Sequence, residues 1–236
     1  MDRQAPESLG PPQDAAVQLL VGSDLHNSRP GLEWFCNLAE ELRPDAIVFL
    51  GDFITRQPLS FTREVLATLR MLASACFVVP GNMDPRETLV EFDIAAFDGL
   101  VNLHKHAAPF RGYRFAGLGG SITTPMGDTP LEAVDEGLAE PLRALLPADV
   151  WVLHSPLRGF RDRAGPGIAA GSASLRALWE EQDPRPLLVL SGHIHEATGQ
   201  EAFGGTTFLN PGPLAVRSAA RAVLHAGSVQ AEVLGG

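Results

Sequence analysis

Three times in its first third the chain runs through a short stretch of apolar residues, stops on a polar tip, and turns into a segment of helical periodicity. Ala16-Val17-Gln18-Leu19-Leu20-Val21-Gly22 ends in Ser23-Asp24-Leu25-His26-Asn27. Ala46-Ile47-Val48-Phe49-Leu50 ends in Gly51-Asp52, and Phe77-Val78-Val79 ends in Pro80-Gly81-Asn82-Met83-Asp84. Between them, Leu32, Phe35, Cys36, Leu38, Ala39 and Leu42 recur at helical spacing, with Pro30 suited to a first helical turn and Pro44 ending the helix. Ser60 is placed to cap a second helix from about Phe61 to Ala75, and residues 87–97 suit a short third. Strand, polar tip and helix in alternation predict a sheet covered by helices, in which ligands collect at the carboxyl ends of the strands.

The rest of the chain extends the pattern less regularly. Val101 to Leu103 and the stretch from Phe110 to Leu118 suit short strands, and Leu131 to Leu146 suits a helix. Asp149-Val150-Trp151-Val152-Leu153 is another buried strand, ending in His154-Ser155-Pro156. A Gly/Arg-rich loop at 157–171 precedes a helix at 172–182, for which Ser172 is the expected cap. Pro186-Leu187-Leu188-Val189-Leu190 then ends in Ser191-Gly192-His193-Ile194-His195-Glu196. If that tip stays extended, both imidazoles fall on one side, because strand side chains alternate. Short β-like runs at 197–202, 206–209, 222–224 and 229–234 complete the chain, and no linker interrupts it. The expected organisation is a flexible tail at 1–14 and one domain over 15–236.

Several classes are disfavoured by composition. The net charge is −10 over 236 residues, so the chain lacks the basic face of a general nucleic-acid or anionic-membrane binder. No apolar run reaches the ~18 residues of a membrane span, and residues 1–14 lack the apolar core of a signal peptide. The cytoplasm is the expected compartment. Cys36 and Cys76 are read as small apolar residues and not as a structural disulfide.

Collected together, the strand tips offer Asp24, His26, Asp52, Asn82, His154, His193 and His195, four of the chain's seven histidines among them. All are carboxylate, amide or imidazole ligands, the chemistry of Mn²⁺, Fe or Zn²⁺ and not of a thiolate cluster. Seven ligands are too many for one ion and suit two, with Asp52 free to bridge.

These motifs resemble the calcineurin-like metallophosphoesterases, whose pattern is Asp-x-His, Gly-Asp, Gly-Asn-His-Asp/Glu, a lone His, and Gly-His-x-His. Asp24-Leu25-His26, Gly51-Asp52, Gly81-Asn82-Met83-Asp84, His154 and Gly192-His193-Ile194-His195 match in order, and Asn210-Pro211-Gly212 is similar to the family's turn after the site. The stretch His154-Ser155-Pro156-Leu157-Arg158-Gly159-Phe160-Arg161-Asp162 further resembles bacterial phosphoesterases related to cyclic-nucleotide phosphodiesterases. The resemblance implies an α/β fold, a four-layer αββα sandwich of two mixed sheets flanked by helices. It implies two divalent ions, Mn²⁺ first and Fe or Zn²⁺ as alternatives. Asp24, His26 and His195 would hold one, Asn82, His154 and His193 the other, and Asp52 would bridge. The implied activity is hydrolysis of a small phosphodiester, cyclic nucleotides included, by a metal-bridging hydroxide. The alternatives are a phosphomonoesterase or nuclease on the same site, and a non-catalytic scaffold with a vestigial one.

The family's Gly-Asn-His histidine is Met83 here, and methionine cannot protonate a leaving group. Asp52, Asn82, Asp84 and His26 are therefore the candidate catalytic residues, Asp84 or His26 acting through a water. Asn82 and Arg161 are the candidate substrate contacts. Arg161 is also placed to pair with a neighbouring acid. Asp162 is read as shaping its loop, Asn27 as orienting a ligand or turning the chain, and His104 and His106 as exposed surface. His225 is read as structural or solvated, and Trp34, Trp151 and Trp179 as core.

Overall fold

The computed structural model describes residues 16–55, 58–95, 99–124 and 129–236. The tail expected at 1–14 lies outside these residues. In chain order, β1 (Val17–Gly22), β2 (Ala46–Phe49), β3 (Ala75–Val78) and β4 (Leu100–Asn102) run parallel side by side. The chain then lays down β5 (Ala107–Phe110), β6 (Tyr113–Leu118), a two-stranded ribbon of β7 (Ser121–Ile122) and β8 (Glu132–Ala133), β9 (Val150–Leu153), β10 (Leu188–Leu190), β11 (Gly199–Phe203) and β12 (Thr206–Asn210). It returns through β13 (Ser218–His225) and β14 (Ser228–Gly235). One sheet has the order β14-β13-β1-β2-β3-β4, the other β11-β12-β10-β9-β6-β5. Both are mixed: β13 and β14 are antiparallel additions to the first, β11 and β5 to the second.

Strand alternation builds the layers. Leu19, Val21, Val48 and Phe77 of the first sheet meet Phe115, Val152, Leu190 and Leu209 of the second in one buried cluster. Phe77 and Phe115 stack across it with ring centroids 4.7 Å apart. The opposite faces carry Leu20, Ile47, Phe49 and Val78, covered by α1 (Arg29–Leu42), α2 (Leu59–Leu69) and α3 (Thr88–Ala95). They also carry Trp151, Leu153, Val189 and Phe208, covered by α4 (Asp135–Leu138), α5 (Glu140–Arg143) and α6 (Ala173–Glu180). This is the expected helix–sheet–sheet–helix sandwich. Each large apolar side chain so buried contributes roughly 1.5–3 kcal/mol relative to leaving it exposed. Among the described residues no helix is long and apolar enough to cross a membrane.

Local expectations hold where the signal has a backbone cause and fail where periodicity alone carried them. Ser172 caps α6 as expected, accepting from Leu175 N–H at 3.1 Å; Ser28, not singled out in the sequence, caps α1 by accepting from Gly31 N–H at 3.1 Å. The second helix starts earlier than expected and stops at Leu69, so Pro58 and not Ser60 occupies the cap position. The continuous helix expected from Leu131 to Leu146 is absent: β8 takes its start, and two single turns follow. Gly137 weakens a helix there, and Pro141 has no N–H to extend one. Trp151 and Trp179 are fully buried as expected, Cys76 is buried, and Trp34 and Cys36 are half-buried.

Candidate metal centre

Every tip leaves the carboxyl end of a parallel strand, and both sheets present these ends on the same side. Asp24 and His26 follow β1, Asp52 follows β2, Asn82 follows β3, His154 follows β9, and His193 and His195 follow β10. The backbone at the tips is unusual. Asp24, His26, Asn27, Asp52 and His193 all have positive φ, between 45° and 67°, which costs non-glycine residues energy and gathers at functional sites. Glycine provides the room: a Cβ on Gly81 would strike the Asp52 carboxylate, and one on Gly192 would strike Ser23 and Asp24.

The structure brings the seven candidate ligands together around Asp52. His26 Nε2 lies 3.7 Å from Asp24 Oδ1 and 3.8 Å from Asp52 Oδ2. His195 Nε2 lies 3.2 Å from Asp24 Oδ1 and 3.4 Å from His26 Nε2. On the other side, His154 Nε2 lies 3.7 Å from Asp52 Oδ2 and 3.0 Å from Asn82 Oδ1. The His193 ring sits 5.1 Å from the His154 ring. Asp24, His26 and His195 could share an ion, as could Asp24, Asp52 and His154. The Gly-His-Ile-His tip is not an extended strand end: His193 is left-handed and His195 opens a turn of 3₁₀ helix, so the two imidazoles join different groups.

The residues fit cations. His154 Nδ1 lies 2.6 Å from the carbonyl of Leu50, which can only accept, so Nδ1 carries the proton and Nε2 presents its lone pair. That lone pair faces the oxygens of Asn82 and Asp52, an acceptor-only arrangement that a cation resolves. Asp24 Oδ1 is buried and has no hydrogen-bond partner among the described residues; His195 is near it but off the line a hydrogen bond needs.

The titration behaviour of the cluster points the same way. Burial pushes the Asp24 carboxyl up, but His195, His154 and the Ser23 hydroxyl outweigh it and hold the group below the usual carboxylate range. Burial and the Asp24 charge raise Asp52 well above that range. Two carboxylates in one dry pocket resist ionising together, and positive charge between them relieves the conflict. Burial keeps His154 and His26 below the ordinary imidazole range and takes His193 down to about 3, so these rings are neutral ligands. His195 moves the other way, raised by its contact with Asp24.

Two expected roles are corrected. Asp84 is fully buried, and its oxygens accept N–H bonds from Asp52, Phe53, Ile54 and Gly81 at 2.8–3.3 Å. It fixes the loops carrying Asp52 and Asn82 and has no face left for a leaving group, so it is a positioning residue and not an acid. The Arg161 guanidinium is bound to the carbonyls of Ala197 and Thr198, while its backbone N–H donates to Glu201. It braces the turn after His195, its Nε and one terminal nitrogen being committed to backbone carbonyls, and it forms no guanidinium–acid pair among the described residues. Asp162 does shape its loop, accepting from Gly159 and Gly171 N–H. Asn27 ties the first tip to the second by exchanging hydrogen bonds with the Thr55 backbone. His104 is half-buried, and its Nδ1 accepts the Gly119 N–H, contrary to the exposed reading; His106 is exposed as expected.

Sequence reasoning missed the supporting groups. Thr55 Oγ1 holds His26 Nδ1 at 2.9 Å, Thr129 Oγ1 accepts from Asn82 Nδ2 at 3.1 Å, and Asn210 Nδ2 donates to the carbonyl of Ile194 at 2.8 Å. Thr55 and Thr129 sit in irregular segments with no periodicity to mark them, and the Leu50 carbonyl carries no side-chain signal at all.

Comparison with known proteins gives the site its family. A protein of Methanocaldococcus jannaschii described only as uncharacterized is 29% identical over 205 residues, 82% of this chain and 88% of the relative. The crystal structure of TT1561 of Thermus thermophilus superposes with a TM-score of 0.71 at 22% identity, covering 92% of this chain and 99% of that one. A structure described as a novel archaeal phosphodiesterase covers 92% of this chain and all of its own, at 12% identity and a TM-score of 0.57. At these identities the two structures establish a shared fold. The sequence pattern of the family described as calcineurin-like phosphoesterase matches residues 17–197, which take in all seven candidate ligands, and the chain belongs to that family.

Proposed function

We propose that the protein is a divalent-metal-dependent phosphodiesterase acting on small phosphodiesters, with cyclic nucleotides the first class to examine. The observation that carries this reading is the position of Asp52, whose carboxylate reaches both the Asp24–His26–His195 group and the Asn82–His154–His193 group. In this arrangement Asp24, His26 and His195 hold one ion, Asn82, His154 and His193 the other, and Asp52 belongs to both. Bound there, two divalent ions, Mn²⁺ first among the candidates, supply an acidified water and charge stabilisation for the phosphate oxygens.

The chain's own residues set the rest. The Asp84 clamp and the Met83 N–H, 2.8 Å from Asp52 Oδ1, fix the shared carboxylate. Thr129 aims the Asn82 amide, leaving its oxygen toward His154. No histidine follows Asn82 to donate a proton, so departure of the ester oxygen depends on its own basicity. That favours leaving groups of low pKa and strained cyclic diesters.

The test is hydrolysis of bis-nitrophenyl phosphate against nitrophenyl phosphate by Mn²⁺-loaded protein, followed by a panel of 2′,3′- and 3′,5′-cyclic nucleotides. Preference for the diester, abolished by chelation and restored by Mn²⁺, is the expected result. Activity confined to monoesters would replace this reading with a phosphomonoesterase, and absence of both metal and hydrolysis would replace it with a scaffold.

A further inference from the structure

Beside the centre, the carboxyl end of β6 and the β7–β8 ribbon border a cleft of about 190 Å³ that the proposed hydrolysis does not use. Its wall is shared with the centre. Leu118 O accepts the His154 N–H at 3.1 Å, Gly120 N–H donates to Pro80 O at 2.9 Å, and Leu131 N–H donates to Asn82 O at 3.3 Å. The described lining divides by chemistry: Leu118, Leu138 and Pro141 are apolar, while Arg86, Lys105 and His104 are basic.

Three observations give that basic side a purpose. The chain is acidic, and Arg29, Arg63, Arg111, Arg143, Arg176 and Arg221 are all paired with carboxylates. Arg86 and Lys105 have no such partner among the described residues, nor do Arg114, Arg158, Arg161 and Arg185; what sets the two apart is that both line this one cleft, and Lys105 is the only lysine of the chain. Lys105 is also held in a left-handed backbone conformation, φ 61°, with its N–H bonded to Gly117 O at 2.9 Å, so its position is built and not incidental to a loose loop. The third observation is the His104 tautomer. Gly119 N–H lies 3.0 Å from His104 Nδ1, and an amide can only donate, so the neutral ring carries its proton on Nε2. That leaves a second type of donor beside the two cations. Glu132, an acid in the lining, accepts from the Thr124 hydroxyl at 2.7 Å, and against its burial its hydrogen bonds hold it in the ionised form, so its negative charge opposes the two cations at the ribbon side of the cleft.

We propose that this cleft is an anion subsite that takes a phosphate group on Arg86, Lys105 and the His104 Nε2–H, with the Leu118–Leu138 surface as its apolar floor. A phosphate offers charge to the two cations and an acceptor oxygen to the imidazole N–H. It has two sources, a second phosphate on the substrate or free phosphate. The subsite stands whether or not the neighbouring centre is a phosphodiesterase.

Calorimetric titration of inorganic phosphate into Mn²⁺-loaded protein tests it. The wild type is expected to bind one phosphate more than the Arg86→Met/Lys105→Met double variant, and each single variant to weaken that site at least tenfold. Both side chains are exposed, so the variants are expected to fold, and an unchanged KM for bis-nitrophenyl phosphate checks it in an active enzyme. Equal stoichiometry and affinity in the wild type and the variants would overturn the proposal. So would phosphate binding lost from the wild type on mutation of Asn82 alone, an outcome that places every phosphate at the metal centre. A fivefold or greater rise in KM for a nitrophenyl ester of a nucleoside diphosphate, with weakened phosphate binding, assigns the subsite to substrate. Weakened binding with no such rise assigns it to free phosphate. Absence of all hydrolysis would count against the phosphodiesterase reading and leave the binding measurement to decide the subsite.

Discussion

The two halves of the candidate centre each contribute two histidines, joined by an amide in one and a carboxylate in the other, and they behave differently. In the half made by Asn82, His154 and His193, His154 is inaccessible, and its Nδ1 is bonded to a backbone carbonyl. In the half made by Asp24, His26 and His195, the two imidazoles are 23% and 43% exposed, and His26 is oriented by a threonine hydroxyl. Burial therefore favours the neutral form of the inner histidines, while contact with the Asp24 carboxylate raises the pKa of His195 in the outer half. One half is preorganised as a neutral ligand set. The other must order two partly exposed rings, one of them with a raised proton affinity, before it can hold an ion, so it is expected to bind the more exchangeable of the two.

The strongest way to break this comparison is to remove what the halves share. Asp52→Ala is expected to lower turnover at least about a thousandfold, equivalent to about 4 kcal/mol of transition-state stabilisation, and to weaken both ions. Metal analysis that showed only one ion affected would mean that Asp52 belongs to one half. His195→Ala and His193→Ala are next in size. Each is expected to reduce bound metal from two ions to about one. Ion-by-ion spectroscopy of the Mn²⁺-loaded variants should find the outer ion missing in the first and the inner ion missing in the second.

Acidification should also separate the halves. A raised His195 pKa means that its proton is retained to higher pH than usual and competes with metal there. Outer-ion affinity should fall by about tenfold per pH unit once the pH drops below that pKa, which lies above the ordinary imidazole value. The inner ion should be retained further into acid, since His193 titrates only near about 3. Simultaneous loss of both ions in equilibrium dialysis would contradict this. Thr55→Val removes the hydroxyl that orients His26 while keeping the side-chain shape, and should weaken the outer ion by about 10–100-fold, leaving the inner one unchanged. The smallest expected effect is that of Met83→His. It should raise turnover several-fold for esters with high-pKa leaving groups and hardly at all for nitrophenyl esters. Parallel changes on both substrate types would exclude the missing proton donor as the reason.

What the sequence discloses about this centre follows from what holds each part in place. The seven ligands are legible because each sits where a buried apolar strand stops, and a polar residue at such a point stands out against its neighbours. The β1–β3 repeat and the Ser172 cap are legible for a similar reason, since each leaves a local mark, whereas Ser60 carries the same mark without being the cap, because Pro58 starts its helix earlier. Asp84 and Arg161 are visible as charged residues but misleading in role, because their partners are backbone groups, the amides of Asp52 to Ile54 for one and the carbonyls of Ala197 and Thr198 for the other. Backbone partners have no letter in the sequence. The segment from Leu131 to Leu146 shows the other failure, in which apolar spacing suggested a helix that Gly137 and Pro141 do not permit.

The ligands divide between the sheets as well as between the ions. Asp24, His26, Asp52 and Asn82 leave strands of one sheet, and His154, His193 and His195 leave strands of the other. The interior between the two is apolar, so the sandwich is otherwise held by contacts that have little direction. Metal bound at this end would act as a rivet through both leaves, and each ion would be anchored in both. Parting the leaves and releasing the ions would then be a single event, and ion occupancy would set how often the sandwich opens at that end.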